Sequence, residues 1–286
     1  MAFFIRCATL QIGTLKYTMN DGFYFEFEVP FYDSEQLPTA TFTVNNLNAT
    51  TRANIKKNQV IILNAGYEDD MGVLFVGQVA SVSHKQSGVE WQTKLTATAA
   101  LNQWLNAQIN KTYVEGSKAE DIVRDLLEIF GLEVGVFELV ENIVYPRGRV
   151  CCGKLKDVLT DIVVNECKSR LLIRSNQIII NNPADGITKG YLLSPSSGLL
   201  MSSDDLDATN IASQQTSKDS QEKKAADAKT WKRQCLLNYR LGPGDQIQIQ
   251  SKSLTGRFLV VSGKHKGSPT GAWTTEIEFK IAGQEV

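Results

Sequence analysis

Apolar and polar positions alternate with a period of two through most of the first hundred residues, which predicts strands. Phe23-Tyr24-Phe25-Glu26-Phe27-Glu28-Val29 follows the turn signal Asn20-Asp21-Gly22, alternates aromatic with acidic residues, and is expected to end at Pro30. Residues 40–44 alternate in the same way and stop at Asn45-Asn46. Residues 60–63 and 73–76 flank an acidic turn at 67–72, and residues 79–83 and 91–97 pair across Gln86-Ser87-Gly88. Residues 101–109 read as a short closing helix. After Tyr113 the period changes. Ser117-Lys118-Ala119-Glu120 is a capping-box pattern, and Ile122, Val123, Leu126, Leu127, Ile129 and Phe130 fall on one helical face, with Gly131 placed to end it. A strand at 132–134 follows. Leu155, Val158, Leu159, Ile162 and Val163 carry a second helix, and residues 170–174 and 177–181 form a hairpin around Ser175-Asn176. Turn and strand chemistry returns at 193–200 and, after an interruption, at 231–237.

The interruption, Ser202 to Lys229, is rich in Ser, Asp, Gln, Lys and Ala and holds too little apolar surface to offset its ordering entropy, so a mobile loop or loosely held helix is expected there. Beyond it, the tight turn Leu241-Gly242-Pro243-Gly244-Asp245 leads into a block that echoes an earlier one. Asn58-Gln59-Val60-Ile61-Ile62-Leu63, Gly72-Val73-Leu74-Phe75-Val76-Gly77, Ser83-His84-Lys85 and Trp91-Gln92-Thr93-Lys94-Leu95 have counterparts. These are Asp245-Gln246-Ile247-Gln248-Ile249, Gly256-Arg257-Phe258-Leu259-Val260, Lys264-His265-Lys266 and Trp273-Thr274-Thr275-Glu276-Ile277. The chain's two histidines thus occupy matching places. One self-match at a long offset implies duplicated domains rather than a solenoid. The fold class expected is α+β, mainly β: two similar small β-barrel domains, residues 1–109 and 189–286, with an α+β unit at 110–188 between them in sequence. The polar insertion at 202–229 interrupts the second barrel.

Composition narrows the partners. A formal net charge of −1 and a pI near 6.2 give no general attraction to nucleic acid or anionic membrane. Five cysteines without CxxC spacing indicate neither a zinc site nor a disulfide framework, so reduced thiols made in a cytoplasm are expected. No signal-peptide pattern opens the chain and no apolar run approaches the ~20 residues that span a bilayer, so a soluble protein is expected.

Candidate chemistry is sparse. Two histidines at equivalent strand-edge places read as scaffold, no Gly-x-Ser-x-Gly elbow occurs, and Gly242-Pro243-Gly244 lacks the lysine of a phosphate loop. Glu68, Asp69 and Asp70 form either a solvated hairpin tip or a cation site. Phe23, Phe25 and Phe27 put three rings on one strand face, for a core or for a partner. Trp91 and Trp273 at matching sites argue for a shared packing role. No enzyme, no cofactor and no metal is expected. The acidic turn and the phenylalanine stripe are the candidate interfaces.

The order of segments resembles the baseplate hub proteins of contractile-tailed phages and related injection machines, the T4-type hub family. The resemblance rests on the strand-rich 59–77 stretch, then Gly116-Ser117-Lys118-Ala119-Glu120-Asp121-Ile122 reaching Phe130-Gly131-Leu132, then Gly153-Lys154-Leu155-Lys156-Asp157-Val158-Leu159 before the 173–180 hairpin. Ser194-Pro195-Ser196-Ser197-Gly198-Leu199 and the turn at 241–245 complete it. It covers about nine tenths of the chain, and the 202–229 segment fits it least. It implies a homotrimer in which each chain carries two barrels related to the tail-tube subunit. Six similar units in a ring would then match a hexameric tube above and seat a trimeric spike below, in a virion tail assembled in the host cytoplasm. Other baseplate proteins are further possible partners. A tail-tip or tube-initiator protein of a non-contractile tail, and a glycan-binding or wall-degrading tail module, are the alternatives.

Overall fold

The computed structural model describes residues 5–33, 38–99, 107–130, 133–174, 177–200, 230–251 and 254–281. The polar segment 202–229, Gly131 and the Ser175-Asn176 turn lie outside them. The strands of the first part are β1 (Arg6–Ile12), β2 (Leu15–Thr18), β3 (Phe25–Tyr32), β4 (Thr39–Asn45), β5 (Val60–Tyr67), β6 (Asp70–Ser87) and β7 (Glu90–Thr98). A short helix, α1 (Ala49–Asn54), begins where the Asn48 side chain accepts from the Thr51 N–H at 2.7 Å. The middle part holds β8 (Gln108–Tyr113), β9 (Ser117–Lys118), α2 (Ala119–Phe130), β10 (Glu133–Phe137), β11 (Val144–Tyr145), β12 (Arg149–Lys154) and α3 (Leu155–Thr160). A π turn at Asp161–Glu166 and the hairpin β13 (Arg170–Arg174) and β14 (Gln177–Asn181) close it. The last part holds β15 (Ile187–Leu193), β16 (Trp231–Leu236), β17 (Asp245–Gln250), β18 (Thr255–Gly267) and β19 (Trp273–Ile281).

Twelve strands form one sheet in the order β15-β17-β18-β3-β4-β7-β6-β5-β1-β2, with β19 paired to β18 and β16 paired to β19. Period-two burial explains its faces: Phe25, Phe27, Val29 and Phe31 point inward along β3 while Glu26 and Glu28 point out. The middle part makes three small sheets, β10-β14-β13, β11-β9 and β12-β8, against which α2, α3 and the π turn pack. Among the described residues the ladders do not close either β-rich part into a barrel.

Buried apolar residues fall into three clusters. One draws on residues 8–97 together with Leu237 and Trp273. The second lies within 109–180, and the third joins residues 193–279 to Phe31. The β-rich parts therefore exchange side chains: Phe31 enters the later core, and Leu237 and Trp273 enter the earlier one.

Four local expectations are corrected. Pro30 does not end its strand, which continues to Tyr32 with Pro30 opposite Lys264. The ladder to β4 stops at Glu28, so the side that would need Pro30's missing N–H is already unpaired. Residues 73–76 and 79–83 are one long strand, β6, with a bulge at Ala80. The capping box does not form. Ser117 pairs with Tyr145, its hydroxyl donates to the Val114 carbonyl, and the Glu120 N–H is capped by Asn142 from a distant loop at 3.1 Å. Finally, Gln108 and Ile109 begin β8, paired with β12, rather than ending a helix; residues 101–106 lie outside the description.

Candidate assembly surface

The two echoing blocks fold into the same four-stranded unit. In the first, β4-β7-β6-β5 lie side by side; in the second, β16-β19-β18-β17 do. The registers agree pair by pair: Gln86↔Trp91 matches Gly267↔Trp273, and His84↔Thr93 matches His265↔Thr275. A bulge falls at Ala80 in one and Val261 in the other, and Ile61↔Gly77 matches Ile247↔Phe258. The outer strands match too: Asn46 N–H donates to the Trp91 carbonyl at 2.7 Å, as Leu237 N–H does to that of Trp273 at 3.1 Å. The register places Gly256 opposite Ile249 where Phe75 is opposite Leu63, so Gly256 corresponds to Phe75 and not to Gly72. Hydrophobic matching alone slips by a few residues where polar Gln246 and Gln248 replace Val60 and Ile62.

Within each hairpin the histidine engages a buried threonine: His84 Nδ1 is 3.1 Å from Thr93 Oγ1, and His265 Nδ1 is 2.9 Å from Thr275 Oγ1. Thr275 Oγ1 already accepts from the Asn238 N–H at 3.0 Å, which leaves its proton to donate to His265. Each tryptophan lies under an arginine, Arg52 at 3.9 Å from the Trp91 ring centroid and Arg6 at 5.9 Å from that of Trp273.

The two units meet along β3. On one side it pairs with β4, and on the other with the second half of β18, from Phe27↔Gly267 to Tyr32↔Ser262. Phe27 stands edge-on to Trp273 with centroids 5.6 Å apart, and Phe31 lies 4.8 Å from the His265 ring. Glycine is required opposite these rings. A Cβ at Gly267 would sit 2.1 Å from the Phe27 ring, and one at Gly263 would sit 2.5 Å from that of Phe31. Burial under β3 pushes the His265 pKa down to about 3, with Arg174 adding to the effect and a hydrogen bond to the Leu241 backbone opposing it.

Charges tie the parts together. Arg240 grips Asp70 through both guanidinium nitrogens while Tyr239 donates to it at 3.0 Å, and these contacts hold the Asp70 carboxyl below the usual range. The Tyr239 ring lies where a Cβ on Gly72 would be, only 2.1 Å away, so the turn must carry glycine there. Arg174, from the middle part, reaches the wholly buried Asp245 at 2.7 Å, and Asp245 also accepts the Gly242 N–H at 2.9 Å. Arg170 Nε lies 3.1 Å from Asp33 at the end of β3; the contact is close without being aligned as a hydrogen bond, and burial raises the Asp33 pKa against the pull of Arg170.

Of the residues singled out from the sequence, Glu68 and Asp69 are exposed at the β5–β6 turn, and Asp70 is committed to Arg240. Phe25 and Phe27 are buried, while Phe23 is 40% exposed and touches Tyr17 edge-on. The stripe is thus split between core and surface. Arg170, Arg174 and Arg240 escaped the sequence reading because an isolated arginine carries no pattern. All five cysteines are free thiols, and burial drives Cys235 up to about 12. Among the described residues no three His, Cys, Asp or Glu side chains gather as metal ligands, and no helix is long and apolar enough to cross a membrane.

No protein-family profile and no curated protein sequence matches the chain. Solved structures do. A tail protein from Neisseria meningitidis superimposes with a TM-score of 0.65 at 8% identity over 98% of both chains. The 43 kDa tail protein of prophage MuSo2 from Shewanella oneidensis does so with 0.66 at 9% identity, over 98% of this chain and 100% of that one. An Escherichia coli component of the type VI secretion system, itself structurally similar to the bacteriophage T4 tail proteins gp27 and gp5, gives 0.57 at 11% identity over 96% and 77%. From end to end, the chain carries the fold of these tail proteins.

Proposed function

We propose that the protein is a structural baseplate hub of a phage or phage-like tail and has no enzymatic role. The observation that carries this reading is the four-stranded unit present twice in one chain with the same register. Three chains would present six equivalent units, as a ring joining a hexameric tail tube to a trimeric spike requires. Residues 1–109 and 189–286 act as the two tube-like, barrel-forming domains, and residues 110–188 as the α+β connector that carries further baseplate contacts. The likeness to tail proteins supports the setting, a virion tail, though fold alone does not fix a function. The exposed Glu68 and Asp69 and the half-exposed Phe23 are proposed as contact points at the ring's rim.

Light scattering coupled to size exclusion, at rising concentration and with the tube and spike proteins of the same tail, tests it. A trimer alone or in the joint complex is expected. A chain that stays monomeric throughout and binds neither protein overturns it.

A further inference from the structure

We infer that the outer corner of β5 and β6 in one copy of this chain docks on the exposed face of the β8–β12 ribbon of another copy, joining the copies head to tail. The inference rests on the hub reading and names a contact through which its ring would close.

Comparison of the two units picks out the corner. With Ile61↔Gly77 matched to Ile247↔Phe258, the residues Val60, Ile62, Val73 and Val76 correspond to Gln246, Gln248, Thr255 and Arg257. In the first unit they alternate with the buried Ile61, Leu63 and Phe75, so they point away from the core. The second unit shows that the fold accepts polar side chains on this face; only the first unit makes it apolar. Met71, opposite Gly66, continues the row two residues from Val73, and both are 45% exposed. A lone exposed aliphatic residue is ordinary, whereas a connected row on one sheet face marks a contact.

The corner ends in an acidic turn. Glu68 and Asp69 are exposed there, and neither has an ion-pair partner among the described residues. The turn is also held in place: Arg240 and Tyr239 bind Asp70, and the Tyr239 ring fills the space over Gly72. Glu68, Asp69 and Met71 are therefore presented with little ordering left to lose on binding.

The ribbon supplies the complement. Ile109 and Cys151 face the core of the middle part, so by alternation Asn110, Thr112, Val150 and Cys152 face away, and Val114 extends their row beside Gly148. Val114 and Val150 are 77% and 64% exposed, and their diagonal placement across the ribbon brings them into one patch. Lys154 follows Cys152 on the same face. It is exposed, as are Lys118 and Arg147 at the far end, and none of the three is ion-paired among the described residues. The acids that adjoin them in sequence are Glu115 and Asp157.

Each surface thus joins an apolar centre to charge of one sign, and the two signs are opposite. Both are exposed in the single chain, so they do not cover each other within it. Corner against corner would bring acids together, and ribbon against ribbon would bring cations together; like charges facing across a contact oppose binding. Corner against ribbon satisfies both the charges and the valines. One of each per chain makes a heterologous contact, which closes into a ring when its rotation permits.

Exchanging the charges on the full chain tests this, with assembly read by light scattering, alone and in the joint complex with tube and spike. Glu68→Lys with Asp69→Lys is expected to weaken assembly about tenfold or more, and Arg147→Glu with Lys154→Glu to do the same. The chain carrying all four changes is expected to regain assembly. Circular dichroism and melting of the monomers should match the parent, since all four side chains are exposed. Assembly that neither reversal changes overturns the contact while leaving the hub reading standing. Loss with each reversal and no recovery in the combined chain overturns the pairing of these two surfaces and gives them separate partners. A parent chain that stays monomeric and binds neither tube nor spike overturns both the contact and the hub reading.

Discussion

His265 and His84 hold the same place in two equivalent hairpins, each against a buried threonine, yet one ring is sealed beneath β3 and the other is exposed. The sealed ring sets a pH limit on stability. It stays neutral in the folded chain down to about pH 3, while in the unfolded chain a histidine takes up its proton near pH 6.5. The unfolded state therefore binds more protons between these values, and stability present above pH 6.5 is lost as pH falls toward 3, at up to about 1.4 kcal/mol per pH unit. Denaturant unfolding of the parent and of His265→Gln at pH 4 to 7 should show the difference between them shrinking or reversing as the pH drops. A constant difference would remove the histidine from the acid response.

Arg174 is the charge partner of Asp245, whose side chain has no exposure. Arg174→Met leaves a buried carboxylate with one backbone N–H, and a loss of about 3–5 kcal/mol in unfolding free energy is expected. Adding Asp245→Asn should recover a large share of it. Equal losses in the single and double variants would show that the pair is not what the site depends on.

The grip of Arg240 on Asp70 is more exposed, with side-chain exposures of 39% and 24%, so solvent screens it. A double-mutant cycle with Arg240→Met and Asp70→Asn should give a coupling of about 1 kcal/mol that falls with added salt. A salt-independent coupling would point instead to the packing of Tyr239 over Gly72.

Phe27 and Trp273 carry the contact between the two units. Phe27→Ala should cost about 3–5 kcal/mol and shift emission from Trp273 to longer wavelength as water reaches the indole. Gly267→Ala, which drives a methyl into the Phe27 ring, should also destabilise and be partly rescued by Phe27→Leu. No rescue would place the strain in the backbone.

Much of this architecture was readable because it rests on period and repetition. Ile122, Val123, Leu126 and Leu127 on the buried face of α2, the paired strands 170–174 and 177–181 and the alternation of β3 each appear where local pattern places them, whereas Ile129, expected on the same helical face, is 50% exposed; the paired histidines and tryptophans mark equivalent strands. What escaped depends on distant partners. Pro30 looked like a stop because the end of the β4 ladder is invisible locally, and Ser117 looked like a cap because β11 is not adjacent in sequence. The first hairpin, β1–β2, went unread although Leu10, Ile12 and Tyr17 are buried, since Arg6, Thr9 and Gln11 dilute its alternation. The arginines that tie the parts together carry no local signal at all, because their meaning lies in carboxylates far along the chain.

The position of β3 also governs when the protein can become itself. Phe27 and Phe31 are synthesised long before β18, the strand that pairs with theirs. At roughly 5–20 residues per second, synthesis leaves that edge waiting for about ten seconds or more. A nascent chain of this design completes neither core until β18 and β19 emerge, so a truncation that removes Trp273 should loosen the first unit as well as the second.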